Sequence, residues 1–187
     1  MAIKIYIDQG HNPVNPNAGA EGNGLREQDV VYRIGRELAA LLEADPDYEV
    51  RLSRPTAQTQ LGNSLNSSLR TRVQEANAWG ADYFISLHTN ASEITSASGT
   101  EAYVYSRQGA AFELAQRIVE GVTNVTGLPN RGTFVRSGLY VLRKTAMPAV
   151  LAELGFITNP GDAALMNENP RLFAQGIYQG LQAYTGG

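Results

Sequence analysis

Between Asp82 and His88 the chain reads Asp-Tyr-Phe-Ile-Ser-Leu-His, an almost unbroken apolar run too short for a helix. Such a run is expected of a strand buried on both faces, and strands of that kind lie in sheets covered by helices on either side. The rest of the pattern must then supply those helices. Apolar residues recur at helical spacing from Glu27 to Ala44, from Leu65 to Trp79 and from Ala110 to Thr126. Asp45-Pro46-Asp47 stops the first of these, because proline cannot continue a helix. Pro170 suits the first turn of a last helix, with Asn169 as its cap. Ile3 to Asp8, Tyr48 to Ser53, Thr100 to Tyr105, Leu139 to Leu142 and Ala149 to Leu154 read as further strands. Strands alternating with helices predict an α/β fold: one domain over residues 1–187, an open sheet of about six strands with helices on both faces. No linker, repeat or low-complexity segment divides it.

The inventory of reactive side chains is narrow. There is no cysteine, so thiolate metal sites and a cysteine nucleophile are excluded, and only two histidines are present. A metal must be held by histidine and carboxylate alone. The formal net charge of -3 offers no basic patch to a phosphate backbone, which argues against a nucleic-acid partner. Met1 to Asp8 is too short and too polar for a signal peptide, and no apolar stretch approaches the roughly eighteen residues a membrane span needs. No membrane insertion is expected, and a monomer is.

The two histidines fall at informative places. His11 follows the first strand inside a stretch, residues 9–25, rich in glycine, asparagine and proline, and His88 ends the most apolar strand. In a parallel sheet both would sit at carboxyl ends of strands, the edge where open α/β sheets bind ligands. Glu27 opens the first long helix just after that loop, so it can return beside His11. A carboxylate there has an ordinary explanation as well, since the helix dipole favours it. Glu153 interrupts Ala149-Val150-Leu151-Ala152 and precedes Leu154-Gly155-Phe156, a segment that otherwise wants burial. A carboxylate in such a strand is costly unless paired, metal-bound or protonated. It is either half of a buried ion pair, with Arg143 as partner, or a general base whose basicity burial has raised. Two imidazoles and one carboxylate suit a catalytic zinc site that keeps a fourth position open.

Asp8-Gln9-Gly10-His11-Asn12 followed by Gly22 to Glu27-Gln28-Asp29-Val30 resembles the opening of the zinc-dependent N-acetylmuramoyl-L-alanine amidase catalytic domains. Ser86-Leu87-His88-Thr89-Asn90-Ala91, Arg70-Thr71-Arg72-Val73 with Ala76-Asn77, and Leu139 to Arg143 running on through Pro148 to Asn159 continue the likeness in the right order over essentially the whole chain. The resemblance implies a twisted, mostly parallel mixed sheet. It implies one Zn2+ held by His11, Glu27 and His88, with Glu153 as the catalytic glutamate. The implied substrate is peptidoglycan or a muropeptide, cut between N-acetylmuramic acid and the L-alanine of the stem peptide, which places the protein in the cell wall or outside the cell. Asn90 and Arg143 are further candidates for substrate contact.

The chain departs from the family pattern in two ways. Asp8-Gln9 stands where aspartate-proline is expected, beside His11 rather than at it. Asn90 to Gly99 leaves no room for the inhibitory helix that some division-linked members insert, so an open site is expected. No separate wall-binding module is visible. Competing readings are a non-catalytic wall-binding module on the same fold, and a zinc carboxypeptidase or endopeptidase acting within the stem peptide.

Overall fold

The computed structural model describes residues 1–186. Its central feature is a six-stranded mixed sheet in the order β4-β1-β5-β8-β6-β7. The strands are β1 (Ile3–Gln9), β4 (Tyr48–Leu52), β5 (Tyr83–Asn90), β6 (Thr100–Val104), β7 (Asn130–Val135) and β8 (Ala149–Phe156), and a small hairpin of β2 (Glu21–Gly22) and β3 (Leu25–Arg26) stands apart. β4, β1, β5 and β8 run parallel; β6 is antiparallel to β8, and β7 follows β6 in parallel. β5 is the strand announced by the apolar run at Asp82 to His88, and it lies inside the sheet between β1 and β8.

Helices cover both faces, as the apolar patterns require. On one face α1 (Glu27–Glu43), α3 (Ala110–Thr126) and α6 (Pro170–Thr185) bury Ile34, Leu38, Ile118, Val122, Phe173 and Ile177 against Ile5, Ile7, Ile85 and Val150. On the other, α2 (Leu65–Trp79) and the short α4 (Tyr140–Lys144) bury Val73, Ala76, Val141 and Leu142 against Tyr6, Phe84 and Leu151. α5 (Pro160–Glu168) follows β8. Asp162 within it, 2% exposed, accepts hydrogen bonds from the Gly99 and Phe156 backbone amides and the Ser98 hydroxyl. That carboxylate ties down residues 91–99, which form no helix.

Two sequence expectations change. Leu139 to Leu142 is not a strand but the start of α4, entered at Leu139 and stopped at Thr145. A four-residue apolar run carries no period that separates helix from strand. Pro170 does open α6 at Asn169, yet the Asn169 side chain makes no capping hydrogen bond.

α3 and α6 approach so closely that a β-carbon on Gly176 would run into the Val122 backbone. Glycine inside a helix costs about 0.5–1 kcal/mol relative to alanine, so its use here is a packing choice. Gly176→Ala is expected to destabilise by about 1–3 kcal/mol despite the better helix propensity. That corresponds to a fall of roughly 2–12 °C in thermal midpoint for a domain of this size. A midpoint equal to or above the wild type would show that the helices simply move apart.

Candidate active site

β1 and β5 are parallel neighbours, with Asp8 opposite Ser86 and Gln9 opposite Leu87, so both deliver their following residues to the same edge of the sheet. The two imidazoles meet there edge to face, with ring centroids 4.9 Å apart. Residue 10 must be glycine for this to happen: a β-carbon would lie 2.6 Å from the His88 ring and from the Leu87 carbonyl oxygen. His11 itself holds a left-handed backbone with φ of 67°, uncommon for a side chain of this kind and found where function constrains the chain.

Glu27, the first residue of α1, is brought back by the loop before it. Its amide donates to the Ala20 carbonyl at 2.9 Å, and the Ala20 amide donates to Glu27 Oε2 at 2.9 Å. The Gln28 side chain accepts from the Gly19 amide at 3.1 Å, closing the same loop. Glu27 Oε1 accepts from the Thr89 amide at 2.9 Å. The carboxylate then spans the two rings: Oε2 is 3.1 Å from His11 Nε2, and Oε1 is 3.1 Å from His88 Nδ1. Burial works against its charge, but these contacts with His11 and His88 prevail and hold its carboxyl well below the usual range. A capping role at the helix start does not require these contacts.

The cluster fits a divalent metal ion. One ligand atom from each of His11, Glu27 and His88 lies within 4.8 Å of the others. Ligands about 2.1 Å from a tetrahedral zinc ion sit roughly 3.4 Å from one another, close to the 3.1 Å contacts of Glu27 with the two rings. His11 Nδ1 is buried without a hydrogen-bond partner, so the bridging carboxylate does not satisfy that ring. Two imidazoles and a carboxylate form a set of the catalytic kind, with fewer protein ligands than the four of a closed structural site.

Glu153 stands directly across from His88 in the β5–β8 register and from Glu101 in the β6–β8 register. Its Oε2 is buried with no partner, and it forms no ion pair among the described residues. Burial, with the negative charges of Glu27 and Glu101 adding to it, pushes its carboxyl up to about 8. Arg143 is not its counter-ion: it is exposed on α4 and lines a separate depression with Tyr105 and Met147. Asn90, the other candidate, does reach this edge, where it donates to Glu101 Oε1 at 3.0 Å.

Two buried groups that sequence reasoning did not single out hold the arrangement. Glu101, 6% exposed, also accepts from the Tyr103 hydroxyl and from Arg131 Nε at 2.7 Å. Beneath the histidines, Arg72 pairs with Asp8 and donates to the carbonyls of Gln9 at 2.7 Å and His11 at 2.6 Å. Both Arg72 and Asp8 are 1% exposed. The available signal was indirect: Asp8 lies in a strand with apolar neighbours and needs a cation, and only the fold shows which helix brings one. Against the Asp8–Ser86 end of this network, Leu69, Leu139, Tyr140 and Leu151 line a small cavity of about 140 Å³ that opens beside both histidines.

Residues 5–183 match the family described as N-acetylmuramoyl-L-alanine amidase. The chain is 37% identical over 180 residues to the N-acetylmuramoyl-L-alanine amidase CwlM of Bacillus licheniformis, a match that covers 95% of this chain and 65% of that protein. It thus spans a little under two thirds of that relative's length. Among solved structures, an N-acetylmuramoyl-L-alanine amidase from Clostridium difficile 630 superposes with a TM-score of 0.88 at 29% identity, covering 99% of this chain and 97% of that one. The CwlD amidase of Clostridioides difficile, solved in complex with the GerS lipoprotein, gives 0.90 at 26% identity, with 98% of each chain covered.

Proposed function

The chain belongs to the N-acetylmuramoyl-L-alanine amidase family, and from that premise we propose that it hydrolyses the amide joining N-acetylmuramic acid to L-alanine in peptidoglycan. His11, Glu27 and His88 hold one zinc ion, and Glu153 is the proton acceptor. The observation that carries the reading is the pairing of His88 with Glu153 across β5 and β8, which sets a carboxylate with a buried, unpartnered oxygen, and no ion pair among the described residues, beside the ligand cluster.

When bound, the ion supplies Lewis acidity, polarising a carbonyl and lowering the pKa of water to about 7. The protein's own residues do the rest. Glu27, held ionised by both rings, fixes the direction of each imidazole, and Arg72 fixes the backbone that carries His11. Glu153 takes a proton from the attacking water and returns one to the departing alanine amine, a role for which a raised carboxyl is suited. Glu101 anchors Asn90 and Tyr103 at the side of Glu153 away from the histidines. Residues 91–99 contribute no helix over the site, which leaves it open to a polymer. No helix among the described residues is long and apolar enough to cross a membrane. The proposed place of action is the wall, where the substrate is.

The test is mass spectrometry of the products released from purified peptidoglycan, with and without a zinc chelator. Free stem peptides beginning at L-alanine are expected, and only without chelator. Fragments cut within the peptide and still attached to the sugar would make the protein a peptidase. Release that ignores the chelator would remove the metal from the reaction.

A further inference from the structure

We propose that the open strip of sheet over β6 and β7 is a docking shelf for the stem peptide, on which Arg136 pairs with the free carboxylate of the residue next to the first alanine. The inference rests on the amidase reading and extends it to the substrate's acidic arm.

The strand registers lay the shelf out. His88, Glu153, Glu101 and Gly132 follow one another across β5, β8, β6 and β7, all in one row. The next row on the same face runs Asp8, Ser86, Leu151, Tyr103 and Phe134. α2 and α4 pack over the β1, β5 and β8 part of this face. They leave the β6–β7 part open: Phe134 is 45% exposed, although its ring lies against Tyr103 with centroids 6.4 Å apart. At the outer end of the first row Gly132 offers no side chain, and even a β-carbon there would meet nothing within 4 Å. A chain leaving the scissile bond at Glu153 can therefore lie flat along this row.

Charge selects the occupant. Arg131 is paired with Glu101, so those two cancel. Arg136 is exposed, sits over the Tyr103 ring at 5.2 Å, and forms no ion pair among the described residues. In a protein of net charge -3, the shelf thus offers one uncommitted guanidinium above an aromatic floor. A guanidinium presents a fork of donors that matches a carboxylate. The spacing agrees: adjacent strands are about 4.8 Å apart, and each residue of an extended peptide advances about 3.5 Å. The second residue of a peptide starting beside Glu153 then arrives over Glu101, two residues along β6 from Tyr103 and the guanidinium above its ring. A neutral sugar ring could use the aromatic floor but would leave the guanidinium without a partner.

The experiment measures binding rather than turnover, on protein carrying Glu153→Gln so that the ligand survives. The probes are N-acetylmuramoyl-L-alanyl-γ-D-glutamyl-L-lysine and its D-isoglutaminyl counterpart, which differ by one carboxylate against one amide. Calorimetry is expected to show the acid bound roughly tenfold more tightly than the amide, the scale of a charge-assisted hydrogen bond at a partly exposed site. Adding Arg136→Gln should abolish that preference and leave the affinity for the amide within about twofold, while unfolding curves stay unchanged because the side chain is exposed. Equal binding of both probes, or a preference that survives Arg136→Gln, overturns the shelf. Turnover by the unsubstituted protein, assayed separately on the same probes, reports on the amidase reading itself: no release of free peptide would count against that reading while the binding preference remained readable.

Discussion

Replacing Glu153 with glutamine is expected to lower kcat by about 10²–10⁴-fold while leaving the fold and the bound metal intact, because on the proposed mechanism the change removes one proton acceptor and almost nothing else. The proposed ligands, His11, Glu27 and His88, make no bond to Glu153, so metal content by atomic absorption should match the unsubstituted protein. Stability should move the other way from activity. The folded-state carboxyl is raised to about 8, above the roughly 4.3 of an unfolded glutamate. A raised acid binds its proton more tightly in the folded chain, so stability from this group is present at low pH and falls as pH rises through that interval. Glutamine carries no charge to bury, and metal-free Glu153→Gln should melt above the metal-free parent at neutral pH and no higher at pH 4. A variant that kept full turnover would move the general base elsewhere. One that lost both turnover and metal would make Glu153 a partner in holding the ion.

The second large effect is expected at Arg72. Arg72→Met removes a buried cation and strands Asp8 where water cannot reach it, a change that typically costs about 3–5 kcal/mol. At roughly 2–4 °C per kcal/mol, the thermal midpoint should fall by about 6–20 °C. Asp8→Asn combined with Arg72→Met removes both charges and should recover part of that loss, since the penalty lies mostly in leaving one charge unpaired. The dependence on pH has a definite sign. Burial raises the Asp8 carboxyl, but Arg72 and the Ser86 hydroxyl outweigh it, and the folded value lies below the unfolded one. Its contribution is therefore complete above the unfolded value of about 3.9 and is lost as pH falls through the folded one. The gap between the parent and Arg72→Met should be largest at neutral pH and should narrow as pH falls, first as the stranded Asp8 of the variant takes up a proton and then, below about pH 4, as the parent's does. A gap independent of pH would mean that Arg72 matters through its bonds to the Gln9 and His11 carbonyls rather than through Asp8.

What the sequence revealed, and what it concealed, follows from which signals are local. The run ending at His88 could only be an inner strand, because seven residues that are nearly all apolar need cover on both faces, and β5 is that strand. Glycines at 10 and 19 flank His11 for a reason visible only in three dimensions: β-carbons there would strike His88 and Glu27. The position of Glu153 in an apolar strand was legible as an anomaly, and it forms no ion pair among the described residues, which speaks against the buried-pair explanation and leaves the general base as the proposal. β7 was missed because Asn130 to Val135 is an edge strand, half exposed, and shows neither alternation nor an apolar run. Glu101 was missed for a related reason. Nothing in Thr100 to Tyr105 indicates that this glutamate, rather than the tyrosines beside it, is the buried hub.

β8 lies near the middle of the sheet, between β5 and β6, which precede it in sequence by tens of residues. During synthesis the ribosome therefore releases both histidines and Glu27 well before the strand that carries Glu153. A nascent chain ending short of β8 leaves β5 and β6 without the partner they share, and such long-range pairing forms slowly. Such a chain holds His11, Glu27 and His88 but lacks Glu153, the proposed base. On the proposed mechanism hydrolysis then waits for that central strand to be inserted, so the order of synthesis itself withholds activity until Glu153 has left the ribosome.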